Sequence, residues 1–299
     1  MKHIVESQQF NPSILSEIFS LADKLSAKKD NSMRGKIMAS VFYEPSTRTR
    51  FSFESAMLRL GGSVITTENA KEFSSAAKGE TLEDSIKVIN HYADVIVLRH
   101  PEAGAAKRAS LVSSVPVVNA GDGAGQHPTQ ALLDLYTILK ELKKIDGITI
   151  AMVGDLKNGR TVRSLCYLLR KYKNVRIYFV SPKELRMMDD IKDELRKYKV
   201  DFEESSSLEG VISKCDVVYQ TRIQKERFAS LEEYQKLKGR FIISNKEVKM
   251  MKPKSIIMHP LPRVDEILPE VDTSEKAVYF KQAYYGVLIR MALLKLLLK

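Results

Sequence analysis

Short runs of apolar and β-branched residues alternate along most of the chain with segments in which apolar residues recur at helical spacing. The runs are typical of buried strands. They are Lys36–Tyr43, Val64–Thr67, Asp94–Arg99, Val115–Asn119, Ile148–Val153, Val175–Val180, Asp216–Gln220 and Ser255–His259. The helical segments include Phe51–Leu60, Glu80–His91, Arg163–Tyr172 and Lys183–Tyr198. Because strands separated by helices form right-handed crossovers, the pattern predicts an α/β protein with parallel sheets.

A long amphipathic segment, Pro128–Lys144, divides this pattern in two. Proline suits the first turn of a helix, and a turn signal, Asp146-Gly147, follows the segment. We therefore predict two doubly wound domains, residues 1–142 and 143–282, joined by this helix, with the active site in the interdomain cleft. The C-terminal helix, residues 283–299, is apolar enough to require burial, and we expect it to pack on the first domain.

Composition narrows the function only a little. The 299 residues carry a formal net charge of +11, which suits a nucleic-acid partner, a membrane surface or an enzyme for anionic substrates. The excess is spread along the chain, whereas nucleic-acid binders concentrate it in a tail or on one helix face. No apolar run approaches the roughly 20 residues that span a bilayer, and the first residues lack the apolar stretch of a signal peptide. We therefore expect a cytoplasmic protein with neither a nucleic-acid nor a membrane partner.

Neither a metal nor a cofactor is expected. Cys166 and Cys215 lie far apart and lack the spacing of metal ligands, so they are interpreted as reduced core residues. A metal or disulfide role is the less favoured alternative. Gly154-Asp155-Leu156 follows a strand, but the Gly-x-Gly-x-x-Gly spacing of a dinucleotide site is missing.

The most specific chemistry lies in the segment Phe42–Glu54, where a strand ends and a helix begins near Ser46 or Thr47. The helix N-terminus then lies at the carboxyl edge of a parallel sheet, where open α/β folds bind ligands. Its amides and dipole favour an anion, and Arg48 can bind phosphate oxygens bidentately. A plain helix cap with two surface arginines is the alternative. Three hydroxyls, including that of Thr49, together with two arginines favour the anion site.

The sequence Ser-Thr-Arg-Thr-Arg (46–50) before Phe-Ser-Phe-Glu (51–54) resembles the carbamoyl-phosphate motif of the aspartate/ornithine carbamoyltransferase family. Further motifs, among them His-Pro-Thr-Gln (127–130), extend the resemblance over nearly the whole chain. It implies an enzyme that transfers the carbamoyl group of carbamoyl phosphate to an amino acid. It also implies a homotrimer with active sites shared between subunits. Whether a separate regulatory chain joins the trimer stays open.

The resemblance also implies which residues contact carbamoyl phosphate. Those residues are Ser46, Thr47, Arg48, Thr49, Ser74, Lys78, Arg99, His127, Gln130, Leu261 and Pro262. The expected catalytic residues among them are Arg48, Thr49, Lys78, Arg99 and His127. The neighbouring subunit would supply Lys78 and Ser74, although Ser75 beside Ser74 leaves the choice of serine open. Leu261 and Pro262 would act through their backbone carbonyls.

The second substrate is expected to be L-aspartate. By resemblance, Arg160 binds its α-carboxylate, Arg222 and Gln224 bind its side-chain carboxylate, and Lys78 contributes to the same site. The ornithine enzymes carry an Asp-x-Trp-x-Ser-Met-Gly segment, and this chain contains no tryptophan. The implied product is N-carbamoyl-L-aspartate, formed in the committed step of de novo pyrimidine biosynthesis. The alternatives are a transcarbamoylase for another acidic amine and a non-catalytic relative that binds anions or nucleic acid.

Overall fold

The structure is a computed structural model that describes residues 1–26, 30–73, 75–224, 228 and 230–299. The chain divides into two compact units, residues 1–133 with 284–299 and residues 134–283. Each unit contains a parallel sheet with helices, which confirms the predicted α/β class with two domains. The division between the units falls inside the helix that starts at Pro128 and again inside the C-terminal helix.

Unit 1 is built on a four-stranded parallel sheet in the order β2-β1-β3-β4. Its strands are β1 Ile37–Phe42, β2 Ser63–Glu68, β3 Val95–His100 and β4 Val117–Asp122. Its helices are α1 Pro12–Ser26, α2 Thr47–Arg59, α3 Ala70–Phe73, α4 Leu82–Ile89 and α5 Ala105–Val112. Short 3-10 helices lie at Ser7–Gln9 and Ser75–Lys78, and the long helix α6 spans Pro128–Leu142.

The two outer strands of the unit 1 sheet, β2 and β4, differ in burial. Every residue of β4 is buried, and Ile4 runs beside it, with its N–H donating to the Val117 carbonyl at 2.8 Å. Strand β4 begins at Val117 and ends at Asp122, so it lies later in the chain than the predicted strand over 115–119. Strand β2 lies at the sheet edge, and all its residues are exposed or half-exposed. The prediction of a buried strand at 64–67 was correct in position and wrong in burial.

Unit 2 is built on a five-stranded parallel sheet in the order β7-β6-β5-β8-β9. Its strands are β5 Thr149–Val153, β6 Arg176–Val180, β7 Asp201–Ser205, β8 Val217–Gln220 and β9 Ile256–Met258. Its helices are α7 Arg160–Leu169, α8 Asp189–Lys197, α9 Glu209–Ile212, α10 Leu231–Leu237 and α11 Asn245–Met250. The 3-10 helices Lys183–Leu185 and Pro269–Thr273 complete it, and α12 spans Tyr279–Leu297.

Two elements of unit 2 differ from the sequence-based prediction. Strand β7 has one apolar side chain among acidic and polar ones and lies at the sheet edge, so it lacks the apolar run that marks a buried strand. The predicted helix over 183–198 is a 3-10 turn, Lys183–Leu185, followed by a separate helix α8. The Leu185 carbonyl accepts the N–H groups of Leu156 and Lys157, both at 3.1 Å. A continuous helix would use that carbonyl for the amide four residues later.

The order of the strands creates one topological switch point in each sheet. In unit 1 the chain leaves β1 toward β2 on one side and reaches β3 and β4 on the other. In unit 2 it leaves β5 toward β6 and β7 and then returns to β8 and β9 on the other side. Ligands of open parallel sheets bind beyond the carboxyl ends of the strands at such points. A ligand site is therefore expected at the turns that follow β1 and β3 and at those that follow β5 and β8.

Candidate active site

The first turn of α2 lies beyond the carboxyl end of β1 and has the features of an anion site. Ser46 is the N-cap residue, but its side chain makes no capping hydrogen bond, and no acidic residue lies in the first turn. The first amides of a helix have no partner within the helix, and the helix dipole places positive charge there. Thr47 and Arg48 are exposed, whereas Thr49 is buried. An anion at this turn meets donors on both the backbone and the side chains.

The structure separates the two arginines of the motif. Arg50 Nη1 lies 2.6 Å from a carboxylate oxygen of Glu68, at the end of β2, and Arg50 Nε lies 3.7 Å from Glu54. Arg50 therefore ties α2 to the edge strand. Arg48 lies in the first turn of α2 and is exposed, so it is the motif arginine that remains a candidate for binding phosphate.

Arg99 connects three parts of the carboxyl edge of the unit 1 sheet. It pairs in register with Phe42 across β1 and β3, and its carbonyl accepts the Tyr43 N–H at 2.9 Å. Its Nη1 donates to the Ala120 carbonyl of β4 at 3.3 Å, and its Nη2 lies 3.5 Å from Glu44. The structure thus brings Arg99 and the turn before α2 together.

His127 is buried directly before α6 and is reached by a tightly held loop. Asp122 holds that loop, because its carboxylate accepts the Gln126 N–H at 2.7 Å and the Gly104 N–H at 2.8 Å. The His127 carbonyl accepts the N–H of Gln130 at 3.0 Å in the first turn of the helix, and the Gln130 side chain is buried. His127 and Gln130 therefore share the start of one helix at the edge that carries Arg99.

The segment predicted to enter a neighbouring subunit is only partly described. Lys78 ends the 3-10 helix Ser75–Lys78 and is exposed, and Gly79 follows it with φ at +91°. Ser74 lies outside the described residues, so the choice between Ser74 and Ser75 stays a prediction. In the chain, β2 and α3 separate Lys78 from α2.

In unit 2, the turn after β5 presents Arg160 as the first residue of α7. The buried Asp155 accepts the Asn158 N–H at 3.0 Å and closes this turn. Gly154 adopts φ of +112°, and a Cβ there would lie 2.3 Å from the Thr221 carbonyl oxygen. A side chain at this position would collide with the neighbouring turn, so the close packing of the two turns requires a glycine here.

The turn after β8 carries Arg222 and Gln224, both half-exposed. Thr221 anchors it, since its N–H and its hydroxyl both donate to the Val153 carbonyl, at 2.8 and 2.7 Å. Because β5 and β8 are neighbours, the turns that bear Arg160 and Arg222 meet at the switch point of the unit 2 sheet. Two guanidinium groups there suit a dicarboxylate.

The turn after β9 contains Leu261 and Pro262 and is held by the buried side chains of His259 and Glu266. Leu261 adopts φ of +53°, and the peptide bond to Pro262 is cis. Burial acts to raise the pKa of the Glu266 carboxyl, but hydrogen bonds, chiefly the one from His259, outweigh it, so its pKa lies below the usual value. The carboxyl is therefore an anion at neutral pH and a strong acceptor.

The sequence did not single out several polar residues that hold these turns. They are Asp122, Asp134, Asp155, Tyr219, Glu266 and Gln282. Each is polar, yet lies in or beside an apolar segment, and a buried polar side chain needs a partner. That signal marks them as having a specific bond, but the partner becomes known only from the fold.

Two family profiles match the chain. "Aspartate/ornithine carbamoyltransferase, carbamoyl-P binding domain" matches residues 2–140, and "Aspartate/ornithine carbamoyltransferase, Asp/Orn binding domain" matches residues 146–297. Aspartate carbamoyltransferase 2, chloroplastic, of Pisum sativum is 60% identical over 99% of this chain and 78% of the relative. The aspartate carbamoyltransferase catalytic subunit of Methanocaldococcus jannaschii is 54% identical over 100% of this chain and 98% of the relative.

Solved structures agree with these sequence matches. The M. jannaschii aspartate transcarbamoylase catalytic subunit superposes with a TM-score of 0.92 at 54% identity, over 99% of this chain and 98% of that chain. Aspartate transcarbamoylase from Trypanosoma cruzi in complex with N-(phosphonacetyl)-L-aspartic acid superposes with a TM-score of 0.92 at 42% identity, over 98% and 94%. Among the described residues, no helix is long and apolar enough to cross a membrane. The chain therefore belongs to the aspartate/ornithine carbamoyltransferase family and, within it, to the aspartate carbamoyltransferases.

Proposed function

We propose that the chain transfers the carbamoyl group of carbamoyl phosphate to the amino group of L-aspartate, forming N-carbamoyl-L-aspartate and phosphate. The observation that carries the proposal is the presence of a cationic half-site at the switch point of each sheet. One offers a helix N-terminus with Arg48 for a phosphate, and the other offers Arg160 and Arg222 for two carboxylates. The T. cruzi structures that hold carbamoyl phosphate and aspartate support the same pair of substrates.

The chemistry requires charge stabilisation more than proton transfer by the protein. The aspartate amine attacks the carbonyl carbon, so a C–N bond forms while negative charge grows on the carbonyl oxygen. Donors from Thr49, Arg99 and His127 are proposed to stabilise that oxygen. The C–O bond to phosphate then breaks, and Arg48 with the N-terminus of α2 stabilises the charge on the leaving phosphate. The departing phosphate is proposed to accept the proton released by the amine.

Positioning of the two substrates is proposed to supply the remaining rate enhancement. Two anionic substrates repel each other in water, and binding each to a cationic half-site offsets that repulsion and restricts their motion. Leu261 and Pro262 are proposed to accept hydrogen bonds from the carbamoyl amide and the incoming amine through their carbonyls.

The reaction is tested by incubating the purified protein with carbamoyl phosphate and L-aspartate, with L-ornithine as the parallel acceptor. We expect carbamoyl aspartate and no citrulline, because the guanidinium groups of Arg160 and Arg222 repel the additional ammonium of ornithine. Product from neither acceptor, with the protein correctly folded, would overturn the enzymatic proposal. Salt-sensitive binding of DNA without any transfer would favour the non-catalytic alternative, and product from a different acidic amine alone would favour another transcarbamoylase.

We also propose that the active unit is a homotrimer in which Lys78 enters the site of the adjacent subunit. An apolar patch on unit 1 supports this. Phe51 and Leu58, two turns apart on α2, are 54% and 61% exposed. Glu54, which lies between them on the helix, accepts a hydrogen bond from Thr66 of the edge strand β2 at 2.8 Å. Phe51 and Leu58 therefore lie on one side of α2, and exposed apolar patches mark protein interfaces.

Complementation between two inactive variants tests the shared site. Lys78→Ala and Arg48→Ala are each expected to abolish most activity. When the two proteins are dissociated and reassembled together, hybrid trimers contain sites built from an intact Arg48 of one chain and an intact Lys78 of its neighbour, so activity returns. Lys107→Ala, an exposed lysine on α5 of the same unit, serves as the control and retains activity alone. A mixture as inactive as its components would contradict a site shared between subunits.

A cytoplasmic location stays a prediction, since the plant relatives are named chloroplastic.

A further inference from the structure

A continuous chain of buried hydrogen bonds in unit 2 ends on the turn that carries Leu261 and Pro262. We call it the His259 network. Its side chains come from α6, β8, the turn after β9 and the start of α12, and all are 7% exposed or less. They are Asp134, Tyr219, His259, Glu266 and Gln282.

One arm of the His259 network determines the hydrogen position on the imidazole. His259 Nδ1 accepts the Leu261 N–H at 2.7 Å, so the ring hydrogen lies on Nε2, which is 2.8 Å from Glu266 Oε1. The other carboxylate oxygen of Glu266 accepts the N–H groups of Val264 and Asp265, both at 3.2 Å. Both ends of the turn are therefore bonded to one histidine–carboxylate pair.

This arm also supports an unfavourable backbone conformation. Leu261 lies in the left-handed region at φ of +53°, which costs free energy for a residue other than glycine. The bond from its N–H to His259 Nδ1 forms in that conformation and helps to hold it. The imidazole thus holds the peptide plane that leads into Leu261, and the imidazole itself is held by Glu266.

The second arm holds His259 from the backbone side. Gln282 Oε1 accepts the His259 N–H at 2.9 Å, and Gln282 Nε2 donates to Asp134 at 2.7 Å. Tyr219 donates its hydroxyl to the other oxygen of Asp134, also at 2.7 Å. Each amide atom of Gln282 has one partner of the correct type, so the side chain cannot rotate without leaving a buried group unpaired.

Stability alone does not explain so polar an arrangement. Apolar side chains of similar volume often match or exceed the stability that a buried charged network provides. All of these bonds, however, converge on the turn whose carbonyls are proposed to receive the carbamoyl amide and the amine. We propose that Glu266 and Gln282 are positioning residues that act through His259 to orient the Leu261 and Pro262 carbonyls toward the reacting groups. This inference rests on the proposed function and deepens it.

Glu266→Gln and Gln282→Leu test the two arms independently. Glutamine at 266 keeps an acceptor for His259 Nε2 but turns an NH₂ group toward the N–H groups of Val264 and Asp265. For both variants we expect kcat/KM for carbamoyl phosphate to fall roughly tenfold or more, as for other groups that orient ligand-binding residues. The inhibition constant of inorganic phosphate should change less than about twofold, because phosphate is proposed to bind unit 1. If one of the two variants fails to fold, the other still tests its own arm of the network.

Glu275→Gln, an exposed change on a turn of the same unit, is the matched control and should leave all constants unchanged. Unchanged kcat/KM in both variants would overturn the inference. If the variants bound carbamoyl phosphate and inorganic phosphate equally more weakly and also had a lower melting temperature, the role of the two residues would be purely structural. That result would also overturn the inference. No product from the wild-type chain would instead overturn the proposed function.

Discussion

Replacing Arg48 by alanine is expected to lower kcat/KM for carbamoyl phosphate by about 10²–10³-fold, the loss typical of removing one donor aimed at developing charge. Arg48 lies in the first turn of α2, beside the helix N-terminus, and the first turn of the helix contains no acidic residue. The guanidinium can bind two phosphate oxygens at once, and its contribution grows as the leaving group gains charge. Initial-rate kinetics with varied carbamoyl phosphate at saturating aspartate measures the effect.

Arg34→Ala is the control for Arg48→Ala. It removes the same charge from an exposed residue at the opposite, amino edge of the same sheet, just before β1. Its kinetic constants should match those of the wild type. If Arg48→Ala weakened the apparent affinities for carbamoyl phosphate and aspartate equally, the assignment of phosphate binding to this turn would be wrong.

Replacing Arg222 by alanine is expected to raise the KM for aspartate roughly 100-fold, since a hydrogen bond to a charged group contributes up to about 3 kcal/mol and 1.4 kcal/mol is a factor of ten. Arg222 lies in the turn after β8, which Thr221 anchors to β5 beside the start of α7. The KM for carbamoyl phosphate should change little, because that substrate is proposed to bind chiefly through unit 1.

L-Asparagine sharpens the test of Arg222, because it has the shape of aspartate without the side-chain charge. In the wild type, aspartate should be much the better acceptor, and in Arg222→Ala that advantage should largely disappear. Arg196→Ala, on the exposed surface of α8 in the same unit, is the charge-matched control. An unchanged preference for aspartate over asparagine in Arg222→Ala would show that another group binds the side-chain carboxylate.

The sequence marked the turn before α2 clearly, whereas it missed elements at the edges of the fold. The turn before α2 was recognisable because a strand end, three hydroxyls and two arginines coincide within a few residues. Strand β7 and the break before α8 were missed for the opposite reason. An edge strand needs few apolar residues, and the break depends on the use of the Leu185 carbonyl by the distant loop after β5.

Several distinctions between similar residues also required the fold. Arg48 and Arg50 are the same type of residue two positions apart, so the sequence does not distinguish their roles. Only the pairing of Arg50 with Glu68 on β2 shows that Arg50 has a structural role. The same holds for Asp134, which the sequence places in an apolar helix without indicating that Tyr219 and Gln282 are its partners.

By itself, the sequence determined the alternation of strands and helices, the division into two α/β units and the residue types present in each turn at a strand end. These depend on local periodicity and on residues close together in the chain. Only the tertiary structure decided the strand orders β2-β1-β3-β4 and β7-β6-β5-β8-β9, and with them which turns are neighbours. Strand order follows from long-range pairing and from the side to which each crossover turns, and no local pattern encodes either. That order places Arg99 beside the turn that leads into α2, and the turn of Arg222 beside that of Arg160, so it brings separate motifs together into the two proposed anion half-sites.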